Sequence, residues 1–587
     1  MILVNTILKT PRSFKIFYLF FGLSCVGLIL RIFWAMPNVT MQTQLSNIDE
    51  VISAYEAKWS EVALINFQTG HATNGYRFIQ ILNAKIFGLN SRVELVLYYL
   101  VIFCLAIFCL EWWRKRAAEM QKNPWPIAIL IVLILSSFVS ASSGGMEIGT
   151  FIGLAVQIAI FSFAIRPKIS ALKHFDVVAI SIVQFLNVFF WLGPYAVPFA
   201  LAWTTVYITA KFGCSKFVST PRNLLVGAIS TFASAAAWSI GVFWTSQPAS
   251  WAGSLSGQIQ ESPTYPFRYL LRMFPAGLVS DKTLEGLESP MTNMLIYGLS
   301  IFLFLLLLIG LTKSIKSRDV PSLPIFLVSH GVFLAITLLV NRPFGPNWLL
   351  STWYGPQFKL LLCGVVLLWA GSTTKLPKRR TISSYLPAFF VFITLFCAIL
   401  FANFRQWERH PHERTYFQAI QSATINPNLL SLDAAGNTQL LLSMSESIRV
   451  IKLLNEYNLG VFNSGKKMTE IDLANVSVSG DVWSDNWIGK KVLLTIGPLC
   501  QEVDLYFTSN AYNPVVNIQI SGGSLRNIVV NSDSPVRIKL GSESYQPKRT
   551  INIVASPVWN PKNQGINGDL RELSVTMTSR CSRIKSG

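Results

Sequence analysis

Up to about residue 403 the apolar residues of this chain come in runs long enough to cross a bilayer; beyond it they alternate with polar ones at every second position. A hydrocarbon core about 30 Å thick needs roughly 20 mostly apolar residues in one helix, and Phe17 to Met36 and Asn293 to Leu311 match that length. The pattern predicts about eleven transmembrane helices, at 17–36, 93–112, 125–142, 147–165, 176–192, 195–211, 223–245, 291–312, 322–341, 357–373 and 385–403. The run around Gly193-Pro194 is too long for one crossing and carries a helix-breaking dipeptide at its middle, so it is read as two passes with a tight outer turn. In the tail, VNIQISGG, VRIKLGS and INIVAS alternate with period 2 between turn residues, which predicts an antiparallel β-sandwich, jelly-roll-like, with a core at about 478–584. Strands are expected around Val503–Thr508, Val515–Ile520 and Val536–Leu540. The organisation expected is a transmembrane domain over 1–403, an amphipathic connector over 404–432 and an extracytoplasmic domain over 433–587.

Composition strengthens this reading. Hydrophobic residues make up 51% of the chain and charged ones 13%, a balance that suits a lipid-facing surface better than a water-soluble core. The net charge of +20 would suit a nucleic-acid binder, but the basic residues sit in short runs between apolar stretches rather than on one face. With the N-terminus inside, about twenty of them fall in cytoplasmic segments, from Lys9, Arg12 and Lys15 to Lys378, Arg379 and Arg380; the bias gives an N-in, C-out orientation. The first apolar run lacks a small-residue cleavage site and is read as a retained anchor. The partners implied are the lipid bilayer and no nucleic acid.

Chemistry-bearing residues collect in the outside segments. The first loop carries Asp49-Glu50, an acid pair that suits removal of a proton from a hydroxyl at the interface, or equally a solvated helix N-terminus favoured by the macrodipole. Apolar positions Ile48, Val51, Ile52 and Tyr55, and again Phe78, Ile81 and Leu82, have helical spacing and read as amphipathic helices along the outer membrane face. In PTYPFRYLLRMFP, Arg268 and Arg272 stand four residues apart on one helical face, fit for a phosphate or for snorkelling to lipid headgroups. Arg342, Trp348, Trp353, Tyr354 and Lys359 reach the outer interface, where aromatics are usually belt residues. Glu147, beside Gly144 and Gly145, is either a helix N-terminal charge or a group lining a cavity. In the tail, Trp483, Trp487 and Trp559 could stack a sugar ring or serve as core residues. Cys500 and Cys581 flank its strands; a disulfide between them would close a loop of about 80 residues and stabilise the tail by about 4.5 kcal/mol in the chain-entropy model, with two free thiols as the alternative. The tail has no Ser-His-Asp arrangement, Gly-rich phosphate loop or Cys/His metal spacing, which argues against catalysis there.

The acid pair Asp49-Glu50, the stretch HATNGYRFIQILNAKIFGLNSR leading into the second helix, and WYGPQF before the tenth resemble the bacterial multi-pass glycosyltransferases of the GT-C superfamily. In the tail, ESIRVIKLLNEYNLGVF, SDNWIGKKVLLTI and ASPVWNPKNQGINGDLRELSVTM resemble the small β-sandwich modules fused to such transferases. His71 is separated from Arg77, and Trp353 stands where those proteins have an Arg. The resemblance implies an inverting transfer from a polyprenyl-phosphate-linked sugar to a glycan acceptor at the outer face of the bacterial inner membrane. On it, Asp49 or Glu50 is the base, and His71, Arg77, Glu147, Arg268, Arg272, Arg342, Tyr354 and Lys359 are substrate contacts, basic ones among them holding the lipid phosphate. Some relatives use Mg²⁺ or Mn²⁺ at the acid pair, though this loop lacks a complete ligand set. Two other functions remain open: a glycan polymerase or flippase handling lipid-linked saccharides, and a transporter or receptor with a sugar-binding tail. Transporters carry charged or broken helices at the midplane, whereas the helix centres here are almost bare of charge.

Overall fold

The computed structural model describes residues 12–35, 38, 47–62, 74–137, 147–165, 173–212, 221–245, 255–284, 287, 289–341, 349–350, 354–372, 386–425, 444–467, 476–483, 485–496, 500–510, 513, 515–521, 526–531, 536–541, 549–561, 563 and 571–584. Its helices are α1 (Arg12–Ala35), α2 (Ile48–Tyr55), α3 (Asn74–Phe87), α4 (Ser91–Glu119), α5 (Trp125–Ser136), α6 (Glu147–Ala164), α7 (His174–Asn187), α8 (Ala196–Lys211) and α9 (Pro221–Thr245). They continue with α10 (Leu255–Glu261), α11 (Tyr265–Leu271), α12 (Asp281–Leu284), α13 (Ser289–Lys316), α14 (Ser322–Asn341), α15 (Gly355–Gly371), α16 (Leu386–Ile425) and α17 (Met444–Glu456). Eight strands follow: β1 (Val476–Val482), β2 (Trp487–Ile496), β3 (Cys500–Thr508), β4 (Val515–Ser521), β5 (Arg526–Asn531), β6 (Val536–Gly541), β7 (Arg549–Ser556) and β8 (Val575–Ile584). The chain forms two compact units, the first of Met1–Ala35, Ala63–Ile79 and Arg92–Glu413, the second of Met36–Val62, Gln80–Ser91 and Arg414–Gly587.

In the first unit, six described helical stretches are long and apolar enough to cross a membrane: Ser91–Glu119, His174–Lys211, Arg222–Phe243, Pro290–Lys316, Ser322–Asn341 and Ala388–Arg405. Lys15–Gly27, Trp125–Ser136, Thr150–Ala164 and Gln357–Gly371 are shorter apolar helices. Their outward faces are greasy: Phe175 is 80% exposed and Phe243 85%, with Leu19, Leu30, Ile229 and Ile301 also turned outward. Water would penalise such faces, and lipid tails would not, so the helices mark a membrane protein. The bundle's inner helix is α15, whose residues from Leu360 to Leu368 are all buried between α13, α14 and α5. It approaches α14 closely because glycines face the contact. A Cβ on Gly331 would lie 2.6 Å from Leu361 Cβ, and one on Gly364 2.9 Å from Leu327 Cβ.

The long apolar run breaks where the dipeptide predicted. After α7 come a π-turn, Val188–Leu192, and a 3-10 turn, Gly193–Tyr195, before α8 begins. Gly193 takes φ 51°, a conformation that glycine adopts without a Cβ clash.

The second unit has two cores. One joins α2, the end of α3 and α17: Ile48, Val51 and Ile52 pack with Ile81, Ala84, Val450, Leu454 and Phe462. The apolar stripe of α2, expected along the membrane face, is therefore covered by protein. The other core belongs to the strands, which form one nearly closed antiparallel sheet in the order β5-β4-β7-β2-β8-β3-β6, with β1 also on β2. Strand β2 changes partners along its length. Its start, Trp487 and Ile488, pairs with β8, while Lys491–Ile496 pairs with β7. It thereby joins two wings of a sandwich-like sheet over one shared core of Val503, Leu505, Phe507, Ile518 and Ile553. A disulfide links Cys500 of β3 to Cys581 of β8.

Candidate functional site

The first unit contains a polar group assembled by the segment between α9 and α13. Helix α11 starts with Pro266 in its first turn and buries Tyr265 and Tyr269 on one face. Arg268 is exposed, whereas Arg272, just past the helix end, is buried at 3% exposure. Its Nη1 donates to the Arg268 carbonyl oxygen at 2.7 Å, and the guanidinium lies 5.4 Å from the Tyr297 ring centroid of α13. Burial pushes the Arg272 pKa down, while its hydrogen bond and charge interaction with Tyr297 work the other way. The Ser300 hydroxyl, from the same helix as Tyr297, ties the segment down by donating to the Leu271 carbonyl at 2.9 Å.

The chain then turns at Pro275–Gly277 against the start of α15. A Cβ on Gly277 would stand 2.7 Å from the Phe358 carbonyl oxygen and 2.9 Å from the Lys359 nitrogen, so only glycine permits this approach. Lys359 itself is 3% exposed, and its Nζ donates to the Ser137 carbonyl after α5. Tyr354, Gln357 and, on α14, His330 are buried too. The His330 ring stacks on Phe199 at a centroid distance of 3.8 Å.

A second polar group surrounds the first turns of α3. Asn74 Nδ2 donates to the Phe189 carbonyl of the π-turn at 2.8 Å, and the Tyr76 hydroxyl donates to Glu94 Oε2 at 2.9 Å. Arg77 is buried at 6% exposure and Glu94 at 3%. Glu147 is the first residue of α6; its side chain, like all of His71, Arg342, Trp348 and Trp353, lies outside the described residues.

Asp49 and Glu50 occupy the first turn of α2 and belong to the second unit, whereas Arg77, Arg272 and Lys359 belong to the first. Both Asp49 oxygens accept from Arg449, at 2.7 and 3.0 Å, with both side chains largely exposed. Among the described residues no group of three or more His, Cys, Asp or Glu is placed to hold a metal ion. Asp49 is paired with the Arg449 guanidinium, and among the described residues no further carboxylate, His or Cys joins the acid pair to complete a ligand set for a divalent cation. In the sheet, Trp483, Trp487 and Trp559 are half-buried and do come together. Trp487 and Trp559 meet edge to face at 5.8 Å, the Trp483 amide donates to the Trp487 carbonyl, and Arg571 lies 5.6 Å over the Trp483 ring while pairing with Asp485 at 2.8 Å.

Sequence reasoning missed Glu94, Tyr297, His330 and Gln357. Tyr297 and His330 left a signal, a polar side chain inside a largely apolar run, as in FLVSHGVFL around His330, whereas Glu94 and Gln357 stand near charged residues at helix starts. What the run could not convey is which helices would bring those groups together. In comparison with known proteins, no family model matches the chain, and neither a curated protein nor a solved structure matches it.

Proposed function

We propose that the protein is a membrane glycosyltransferase of GT-C type that moves a sugar from a polyprenyl-phosphate donor to a cell-surface glycan or lipid-linked acceptor. On this reading it crosses the bacterial inner membrane eleven times, N-terminus in the cytoplasm, with the tail in the periplasm. The observation that carries the reading is Arg272, a buried cation on a segment between two apolar helices, beside the Tyr297 ring of α13 and with exposed Arg268 one turn away. A phosphate leaving group gains charge as the glycosidic bond breaks, so a fixed cation stabilises the transition state more than the ground state. Two carboxylates are candidates for the base that takes the acceptor's proton: Asp49, named by the resemblance, and Glu94, which shares the unit of Arg77 and Arg272. The tail's tryptophans, with Arg571 and Asp485, offer an aromatic and hydrogen-bonding surface for the glycan acceptor.

The test is sugar release from polyprenyl-phosphate-linked donors by the purified full-length protein, comparing wild type with Asp49→Asn, Glu50→Gln, Glu94→Gln and Arg272→Met. Loss of transfer in Arg272→Met and in one carboxylate variant supports the reading; full activity in all four sinks it. A second reading, passage of lipid-linked saccharide without glycosyl chemistry, is favoured by the burial of His330 and Lys359 within apolar helices. Wild type that translocates such lipids in vesicles and releases no sugar decides for passage.

A further inference from the structure

The two wings of the sheet turn unlike faces outward. On the wing of β3, β6 and β8 the residues opposite the core include Glu502 and Asp504, the latter in register between Lys539 and Arg580. Arg537 pairs with Asp504 at 2.6 Å and Lys539 with Glu502 at 2.7 Å, an ionic surface of the ordinary water-facing kind. The wing of β5, β4, β7 and β2 is different. Val516, Ile518, Ile520, Val530 and Ile553 enter the core, and register lines up the residues between them on the other side. Asn527, Gln519, Val554 and Lys491 form one row across the four strands; Val529, Asn517 and Ser556 form a second, and Asn552 with Leu493 belongs to a third. Asn531 stands opposite Val515 at the end of the β4–β5 pair. Lys491 is the one charge in these rows, on a chain whose net charge is +20.

Solvation alone does not account for the pattern. Asparagine is depleted in strands, and an exposed strand position is served as well by threonine or by an ion pair like those of the other wing. Yet Asn517, Asn527, Asn531 and Asn552 recur at exposed positions of β4, β5 and β7, with exposed Gln519 among them. None of these five side chains makes a hydrogen bond to another described residue. Each amide both donates and accepts, and strands about 4.8 Å apart set the amides in a flat lattice, with Val515 50% and Val529 53% exposed between them.

The lattice selects its occupant by what it lacks. Lipid tails would strip water from the amides and return no hydrogen bond, and a polyanion would find only Lys491 to meet it. A second copy of the chain would find in these rows none of the aromatic, methionine or arginine anchors that hold protein interfaces together. An uncharged polymer of hydroxyls fits: its O–H groups answer amides in both directions, and its C–H faces rest on the valines. The rows also run toward the aromatic pair. Trp487 precedes Lys491 by four residues on β2, and Trp559 follows Ser556 by three beyond the end of β7.

We propose that the outer face of β5, β4, β7 and β2 is a binding track for a neutral polysaccharide, gripped by Asn517, Gln519, Asn527 and Asn552 and leading toward Trp487 and Trp559. The track rests on the rows of the sheet; only the identification of this polysaccharide with the acceptor of glycosyl transfer rests on that reading. Each exposed hydrogen bond contributes little, so the grip comes from several sugar units engaged at once, and affinity should climb with chain length.

The experiment measures binding of the detergent-purified full-length protein to immobilised disaccharides and hexasaccharides of glucose, galactose, mannose and N-acetylglucosamine, with dextran sulfate as an acidic probe. Wild type is compared with two paired variants, Gln519→Ala with Asn527→Ala and Asn517→Ala with Asn552→Ala, each checked for monodispersity and thermal unfolding; Arg580→Ala on the other wing is the control. Wild type should hold at least one neutral hexasaccharide more tightly than the matching disaccharide. Each amide pair should weaken that binding by at least about tenfold, the size of one or two lost hydrogen bonds, while Arg580→Ala leaves it unchanged and dextran sulfate binding ignores the amides. Failure to bind any neutral hexasaccharide overturns the track, as does binding that both amide pairs leave intact. Binding lost in Trp487→Ala but indifferent to the amides puts the sugar on the aromatic pair alone, which also overturns it. Amide-dependent binding by a protein that never transfers sugar removes the transferase reading and leaves the track standing. Sugar transfer with binding indifferent to the amides does the reverse.

Discussion

Arg449 on α17 grips both oxygens of Asp49 on α2, at 2.7 and 3.0 Å, across 400 residues of sequence. Both partners are largely exposed, 47% and 62%, so solvent and salt screen the pair and its coupling energy should fall below about 1 kcal/mol. A double-mutant cycle of Asp49→Asn and Arg449→Gln, read by chemical unfolding at low and high salt, measures it. If Asp49 is the base of a glycosyl transfer, Arg449→Gln should leave transfer intact or raise it, while Asp49→Asn should abolish it; equal losses in both would mean the pair acts only as a brace.

Gly277→Ala tests how tightly the Arg272 segment is held on α15. The added methyl would meet backbone, 2.7 Å from the Phe358 carbonyl oxygen, and cannot be relieved by rotating a side chain. Overpacking of this kind costs about 1–3 kcal/mol, so thermal unfolding in detergent should drop and Arg272 should become accessible to guanidine-modifying reagents. Undiminished protection of Arg272 would show that the turn can retreat without cost.

Lys122, in the loop after α4, donates to the Ala370 carbonyl at 3.1 Å. Burial, helped by the charges of Arg116 and Lys313, pushes its pKa down to about 8. The folded protein therefore binds its proton less readily than the unfolded chain, whose lysine titrates near 10.4, and stability should rise with pH between about 8 and 10. A melting-temperature profile over that range checks this, with Lys122→Met losing the rise. A profile in which wild type and variant run parallel would remove Lys122 as its source.

The Cys500–Cys581 disulfide joins residues 81 apart in sequence. Closing a loop of that size stabilises the sheet by about 4.5 kcal/mol in the chain-entropy model, so Cys500→Ser with Cys581→Ser should make the tail the first part of the protein to unfold. Limited proteolysis with and without reductant reads this directly, and resistance that ignores reductant would place the tail's stability in its apolar core alone.

Strands were legible because alternation is a local signal: Val503–Thr508 lies within β3 and Val515–Ile520 within β4. The break at Gly193 was equally legible, since only glycine reaches that backbone angle easily. The apolar stripe of α2 was legible as a stripe but not in its covering. Ile48, Val51 and Ile52 say that one face avoids water, and both a membrane surface and a protein partner satisfy that condition. Here the partner is α17, near the other end of the sequence. The same limit hid the meeting of His330 with Gln357, which depends on how α14 packs on α15 rather than on any spacing along the chain.

The core shared by α2 and α17 has a consequence for biogenesis. A ribosome adding about 5–20 residues per second needs roughly 20–80 s to pass from Asp49 to Arg449, and for that interval Ile48, Val51 and Ile52 have been made but their cover has not. Nascent protein stalled or truncated before residue 444 should thus expose a sticky helix to chaperones and proteases, making completion of the C-terminus a checkpoint on the whole molecule's survival.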